Sequence, residues 1–275
     1  MENEARVFTS YDVQTCLYDT ARVELFETAL SKAVRPGDVV VDGGSGTGLL
    51  GLLAAKMGAA RVYCVELNPE FAAIIDQNAI RNGMQDRVIV LNDDATTVEL
   101  PEPVDVIVSE VMSTAFFYEP QLAIMENLRR HLRPGGVIIP TACETQVELI
   151  WAQEMLYGLR FAYDSRIKVL DDHPLTERKT YLSVDYTGEI PRRIEAGERL
   201  LAHRTGTVNA VRFSYQLEFT RGVWAGEPTE FLLNPRVVYL DAPMTVEEGG
   251  LYDVRLGYDC GASPLTCEID IRRVD

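Results

Sequence analysis

Residues 39–48 read Val39-Val40-Val41-Asp42-Gly43-Gly44-Ser45-Gly46-Thr47-Gly48. A β-branched run that ends on an acid and breaks into alternating glycines predicts a strand feeding a tight turn. The apolar stretch from Leu49 to Met57, closed by Gly58, predicts a helix behind it. Glycines at such a turn let the backbone approach a ligand closely, and the helix amino end offers unpaired N–H groups to an anion. This is the ligand-binding unit of a parallel sheet, and the sequence on either side is read outward from it.

Downstream the pattern repeats. A strand over 61–67 leads to Asn68 as N-cap with Pro69 at the first helical position, and the helix runs to Asn82 and stops at Gly83. Strands over 88–92 and 104–108 follow, then a helix across 120–132, a break at Pro134-Gly135-Gly136 and a strand over 137–139. Strands alternating with helices give a doubly wound, mostly parallel α/β sheet covered on both faces. Upstream, Leu17, Ala21, Leu25 and Ala29 recur at helical spacing through 14–34 and stop at Arg35-Pro36-Gly37, which predicts a helical lid. After Pro140 the period changes to two, most plainly in Val211-Arg212-Phe213-Ser214-Tyr215-Gln216-Leu217-Glu218-Phe219. Similar runs at 144–150, 180–186, 236–240, 252–258 and 266–271 predict an antiparallel, β-barrel-like domain. The expected organisation is a lid over 1–34, a Rossmann-like cofactor-binding domain over 35–140 and a barrel-like substrate domain over 141–275.

Composition excludes several function classes. The 275 residues are 47% apolar and 25% charged, the balance of an ordinary globular chain with enough length for a core. The 26 Lys and Arg against 42 Asp and Glu leave a net charge of −16, which repels nucleic acid and anionic membranes and favours cationic partners. The basic clusters Arg129-Arg130, Arg192-Arg193 and Arg272-Arg273 are too short to reverse this. Five scattered cysteines have no metal or redox spacing and fit reduced thiols. Met1-Glu2-Asn3-Glu4 lacks the basic and apolar regions of a secretion signal, and no run of about 18 apolar residues is present, so a cytoplasmic location is expected. No metal site is expected, and His131, His173 and His203 read as helix-end or turn residues.

The glycine turn formally contains Gly46-x-Gly48-x-x-Gly51, a dinucleotide fingerprint, but Asp42 four residues earlier would repel a pyrophosphate. An acid there suits a ligand with an ammonium group, which S-adenosylmethionine carries. Glu66, ending the second strand, is placed to accept from a ribose diol, a contact shared by nucleoside sites in general. Asp93 or Asp94, ending the third strand, can accept from an adenine amino group, with Ala95 beside them.

Two further acids follow the fourth strand, in Ser109-Glu110-Val111-Met112-Ser113-Thr114-Ala115-Phe116-Phe117-Tyr118-Glu119. In open α/β sheets, ligands bind beyond the carboxyl ends of the strands, where Glu110 falls. If the segment folds back as a hairpin, Glu119 returns to the same pocket. Two carboxylates there repel unless a cation separates them, and a planar guanidinium accepts one on each edge. Phe116, Phe117 and Tyr118 read either as pocket walls or as core.

On these residues the chain resembles the protein arginine methyltransferases, class I S-adenosylmethionine-dependent enzymes. Val41-Asp42-Gly43-Gly44-Ser45-Gly46-Thr47-Gly48 resembles the family's cofactor loop, and the Glu110 to Glu119 segment resembles its double-glutamate loop at matching spacing. Asp19-Thr20-Ala21-Arg22 resembles the family's Asp-x-x-Arg lid segment. The resemblance implies a seven-stranded-type methyltransferase sheet followed by a β-barrel, Arg22 on the cofactor carboxylate, and Gly43, Gly44, Gly46 and Gly48 around the cofactor. It also implies Glu110 and Glu119 as a guanidinium clamp.

Four departures stand out. Tyr11 lies only eight residues before Asp19, Phe231-Leu232-Leu233 replaces the family's Thr-His-Trp loop, the dimerisation arm within 155–179 is short, and Thr96 takes the place of the adenine-binding glutamate. The expected function is methylation of a guanidino nitrogen of free arginine, another small guanidine or a peptide arginine, by a possible homodimer. The alternatives are methyl transfer to an amine or hydroxyl of another metabolite, and a non-catalytic cofactor-binding scaffold.

Overall fold

The computed structural model describes residues 10–161 and 171–274. Five strands, β1 (Val39–Gly43), β2 (Arg61–Val65), β3 (Val88–Leu91), β4 (Val104–Val108) and β5 (Leu132–Ile139), lie parallel in the order β3-β2-β1-β4-β5. Among the described residues this sheet has five strands. Beyond the cis Ile139-Pro140 peptide the chain turns away into β6 (Ala142–Ala152), which pairs with barrel strands instead of extending the parallel sheet. Val39, Val40 and Val41 are buried to a man on both faces of β1, as a continuous apolar run in a covered parallel strand requires. Because β1 sits between β2 and β4, the strand order reverses there, and a crevice opens beyond the carboxyl ends of β1 and β4.

Among the described residues, five α-helices accompany the sheet: α1 (Ser10–Thr15), α2 (Thr20–Ala33), α3 (Leu49–Lys56), α4 (Pro69–Arg81) and α5 (Gln121–Leu128). The single helix expected over 14–34 is interrupted. Asp19 stands at φ −75°, ψ 79° and its carboxylate accepts from Arg22 N–H, so it caps α2 and separates it from a short 3₁₀ turn over Cys16–Tyr18. The helix expected over 120–132 stops at Leu128, and a 3₁₀ turn delivers the chain to β5 at Leu132. Pro134-Gly135-Gly136 is a bulge inside β5 and not a break before it: the pairing with β4 shifts between Val104 and Val106.

The second half adds β7 (Met155–Leu156), β8 (Leu159–Arg160), β9 (Asp172–Pro174), β10 (Lys179–Asp185), β11 (Arg193–Leu201), β12 (Gly206–Thr220), β13 (Val223–Ala225), β14 (Arg236–Val246), β15 (Leu251–Asp259) and β16 (Glu268–Val274). One antiparallel sheet runs β10-β6-β12-β13, with β14 also on β12 and β9 on β6; a second runs β11-β15-β16. Strand β11 has no counterpart among the expected strands. Gly197 at its centre weakens the sequence signal, yet only glycine fits, since a Cβ there would lie 2.4 Å from the Val254 carbonyl oxygen. The two sheets enclose a core that includes Val147, Phe213, Val254 and Tyr258, separate from the core of Val40, Val41, Ile107 and Leu128 under the parallel sheet.

No helix among the described residues is long and apolar enough to cross a membrane. The amino-terminal part of the expected lid, residues 1–9, lies outside the described residues.

Candidate active site

The glycine turn is fastened to β2 from two directions. Gly44 and Ser45 donate their N–H groups to the Val65 carbonyl at 3.0 Å each, and Gly46 N–H donates to Glu66 Oε2 at 2.7 Å. Gly44 stands at φ +77°, and a Cβ on it would lie 2.3 Å from Val111 Cγ2, so the turn can pass beneath Val111 only as glycine. Gly43 ends β1 and its carbonyl accepts from Ser109 Oγ at 2.6 Å, while Gly48 caps α3. Ser109 N–H donates in turn to the Ile139 carbonyl, which pins the end of β4 between its neighbours. Glu110 therefore leaves β4 directly beside the turn.

Asp42 ends β1 at 1% exposure: its Oδ2 accepts from Gly51 N–H, in the first turn of α3, at 2.9 Å, while its Oδ1 is buried without a hydrogen-bond partner. Burial pushes its carboxyl up to about 7, against the lowering effect of that hydrogen bond. Asp42 thus fixes the helix behind the turn. Glu66 matches its expected position more closely: it is 8% exposed, with Oε2 on Gly46 N–H and Oε1 on Asn68 N–H at 2.9 Å. Each carboxylate oxygen can accept two hydrogen bonds and here accepts one, so both keep capacity for a diol. In Asp94, Oδ1 accepts from Thr96 N–H and Thr96 Oγ1, closing a turn of its own, and exposed Asp93 accepts from Asp94 N–H. Ala95 is buried, its carbonyl taken by Asn127 Nδ2 at 3.2 Å.

Arg22 joins lid to cleft. Its side chain is 6% exposed; Nη1 donates to Glu110 Oε2 at 2.6 Å and Nη2 to the Cys16 carbonyl at 3.0 Å. Its Nε–H is buried without a hydrogen-bond partner. An orphaned, buried guanidinium donor beside Glu110 fits a ligand carboxylate. Glu110 is itself pushed above the ordinary carboxylate range, by burial first, with Arg22 opposing and Asp19 adding to the shift.

Glu119 is reached through an unusual loop. Ala115, Phe116 and Tyr118 stand at φ 57°, 61° and 63°, left-handed conformations that cost non-glycine residues roughly 1–2 kcal/mol each. The packing accounts for it: Phe116, 1% exposed, sits in the core under the parallel sheet, whereas Ala115 and Phe117, both 0% exposed, sit in the barrel core. Phe117 meets Phe213 edge-on at 5.5 Å and Tyr258 at 4.7 Å between ring centroids. Burying each phenylalanine stabilises by roughly 1.5–3 kcal/mol, enough to offset the backbone strain. Phe116 and Phe117 are core residues and not pocket walls. Tyr118 is half-buried, with the Arg236 guanidinium 4.9 Å above its ring.

The fold brings both glutamates within electrostatic reach of one hydroxyl. Tyr215, on β12 and 4% exposed, accepts from Leu233 N–H at 2.9 Å; its phenol is pushed well up, by burial first, then by Cys143, Glu110 and Glu119. The 229–234 segment, where Phe231-Leu232-Leu233 departs from the family's Thr-His-Trp loop, is tied to both halves. Asp19 Oδ2 accepts from Thr229 Oγ1 at 2.6 Å and Phe231 N–H at 2.8 Å, and Thr114 Oγ1 donates to the Asn234 carbonyl at 2.6 Å. Tyr215, Thr229 and Arg236 have no place in the sequence-based site. Alternation along β12 marks Tyr215 as inward-facing, but nothing local relates it to the glutamates. The histidines are engaged elsewhere: His131 beside Glu99, His173 stacked on Trp151 and His203 against the Pro174 carbonyl. Among the described residues no cluster of His, Cys, Asp or Glu could hold a metal ion.

Residues 40–136 match the methyltransferase domain family. The sequence is 30% identical to an arginine N(omega)-methyltransferase of Streptomyces achromogenes subsp. streptozoticus, across 88% of this chain and 74% of that protein. It is 40% identical to a probable protein arginine N-methyltransferase 6 of Arabidopsis thaliana, but over only 45% of this chain and 29% of that one. In fold it is similar to a chain of the Trypanosoma brucei PRMT1 enzyme-prozyme heterotetrameric complex with AdoHcy, with a TM-score of 0.74 at 19% identity, covering 94% of this chain and 96% of that one.

Proposed function

Because this chain belongs to the arginine N-methyltransferase family, we propose that it transfers a methyl group from S-adenosylmethionine to a guanidino nitrogen, with Glu110 and Glu119 holding the substrate. The observation that carries this reading is the buried Arg22 guanidinium, paired with Glu110 just beyond the carboxyl end of β4 and keeping an Nε–H without a partner. The Arg22 guanidinium already lies 2.6 Å from Glu110 Oε2, which supports a carboxylate oriented for guanidinium pairing.

The cofactor supplies an electrophilic methyl on a sulfonium. Arg22 Nε–H and Glu66 are the residues positioned for its carboxylate and ribose; Asp42 acts behind them by fixing α3, and Asp93 or Asp94 remains the adenine candidate. A guanidinium stays protonated at any physiological pH, and no group here removes its proton in the ground state. Two carboxylates on different edges hold it in one plane and draw positive charge toward the bound nitrogens, leaving the third with more lone-pair character. Holding that nitrogen in line with the methyl carbon, away from water, accounts for much of the rate in such transfers. Phe231, Leu232 and Leu233 contribute no base, so the glutamates carry the activation and accept the proton that the nitrogen loses as it is methylated.

Incubation with methyl-labelled S-adenosylmethionine and parallel pools of free arginine and an arginine-rich peptide tests the reading and names the substrate. Label in neither pool, with label in another amine or hydroxyl acceptor, overturns it. A homodimer belongs to the same proposal, supported by the exposed apolar side chains Met155, Tyr157 and Leu159 on the β7–β8 hairpin; a monomeric mass by light scattering removes it.

A further inference from the structure

The loop that carries Glu119 does not hold its own shape. Three of its residues, Ala115, Phe116 and Tyr118, are left-handed without being glycine, and the bonds from Phe116 N–H to the Ser113 carbonyl, Phe117 N–H to the Thr114 carbonyl and Glu119 N–H to the Phe117 carbonyl are short-range turns. Its longer-range backbone partners come from the other end of the chain. Gly261 N–H donates to the Phe116 carbonyl at 2.8 Å, and Tyr118 N–H donates to the Ala262 carbonyl at 3.0 Å. This reciprocal pair ties residues 116–118 to the connection between β15 and β16.

That connection is itself stiff. Cys260 N–H donates to the Arg192 carbonyl at 2.9 Å and Ala262 N–H to the Asp259 carbonyl at 3.2 Å; Ser263 Oγ accepts from Leu265 N–H, capping a 3₁₀ turn that opens with Pro264. Ser263 Oγ also reaches Tyr118 Oη at 3.4 Å. Gly261 stands at φ +82°, yet the nearest atom to a Cβ built on it is the Glu119 carbonyl oxygen, at 3.8 Å. Space for a side chain exists; the backbone conformation, not crowding, reserves the position for glycine.

We propose that Gly261, with Ala262, is a positioning residue for Glu119: the tip of the β15–β16 hairpin sets the direction in which the glutamate enters the cleft. The proposal rests on the reading that Glu119 holds the substrate. It makes no demand on cofactor binding, because the glycine turn, Glu66 and Arg22 lie on other segments.

The test compares Gly261→Val, which strongly disfavours a left-handed backbone, with Gly261→Asn, which tolerates one. The expected result is a kcat at least about tenfold lower in G261V and within about twofold of the native value in G261N, with S-adenosylhomocysteine affinity within about twofold in both. A folded G261V with native kcat overturns the proposal, as does a G261N as impaired as G261V. Native activity in Glu119→Gln removes the reading of Glu119 and the proposal with it, whereas an inactive E119Q beside an active G261V removes the brace alone. Should G261V fail to fold, amide exchange of the native protein decides: protection of the Tyr118 N–H is expected, and exchange at the rate of an open loop amide overturns the brace.

Discussion

Glu119 and Glu110 are alike in chemistry and different in setting. Glu110 is paired with Arg22 and pushed up by burial, so it titrates above the ordinary carboxylate range while Arg22 restrains the shift. Only the ionised form holds a guanidinium, so activity falls as pH drops through that pKa. Removing the cation that favours the ionised form, as in Arg22→Leu, moves the fall to higher pH; rate–pH profiles at saturating cofactor measure it, and a limb that stays put or moves to lower pH contradicts the assignment. Glu119 gives a cleaner loss. In E119Q one acceptor for the guanidinium is neutral, and kcat drops by about 10²–10³-fold while calorimetry with S-adenosylhomocysteine returns a nearly native affinity. A cofactor affinity that falls in parallel would place Glu119 on the wrong ligand.

Among the elements, α2 links the two halves of the site, since Asp19 caps it, accepts from Thr229 and Phe231 across the cleft, and stands three residues before Arg22. Thr229→Val removes one hydrogen bond to a buried carboxylate. It is expected to cost about 1–3 kcal/mol and to raise the KM for S-adenosylmethionine several-fold through a looser α2. Thermal unfolding and initial rates read the two effects; an unchanged KM with lowered stability makes the contact merely structural. The same element shows what a sequence can and cannot disclose. The β1–turn–α3 unit is legible because its signals are adjacent: a β-branched run, glycines, then an apolar helix. The direction of Asp42 is not, because a side chain at a strand end turns toward whichever partner packing offers, here Gly51 N–H. Asp19 hides inside a helical period because a cap and a helix residue differ by backbone angles alone. Its partner Thr229 lies 210 positions away, where no local pattern relates the two. The proposed Glu110–Glu119 pair rests on spacing after a strand, whereas the proposed brace at Gly261 arises only once the barrel is assembled.

The whole molecule carries a net charge of −16, and its proposed substrate is a cation. Such a field raises encounter rates for multiply charged ligands and is screened by salt over a Debye length of about 10 Å at 0.1 M. An arginine-rich peptide is therefore expected to lose severalfold in kcat/KM between low salt and about 0.2 M, while free arginine, with one net charge, changes little. Initial rates across a salt series separate the two, and equal slopes exclude electrostatic steering of the peptide. The placement of Phe116 in one core and of Ala115 and Phe117 in the other reaches further, into how such a chain can be rebuilt. A cut at residue 140 divides the sequence neatly but splits two of three consecutive side chains, Ala115 and Phe117, from the barrel core they fill. Grafting a foreign barrel onto this parallel sheet would leave Ala115 and Phe117 facing the wrong cavity, and Glu119 with them. In recombination the two halves are thus one heritable cassette, exchangeable between relatives only together with the loop that stitches them.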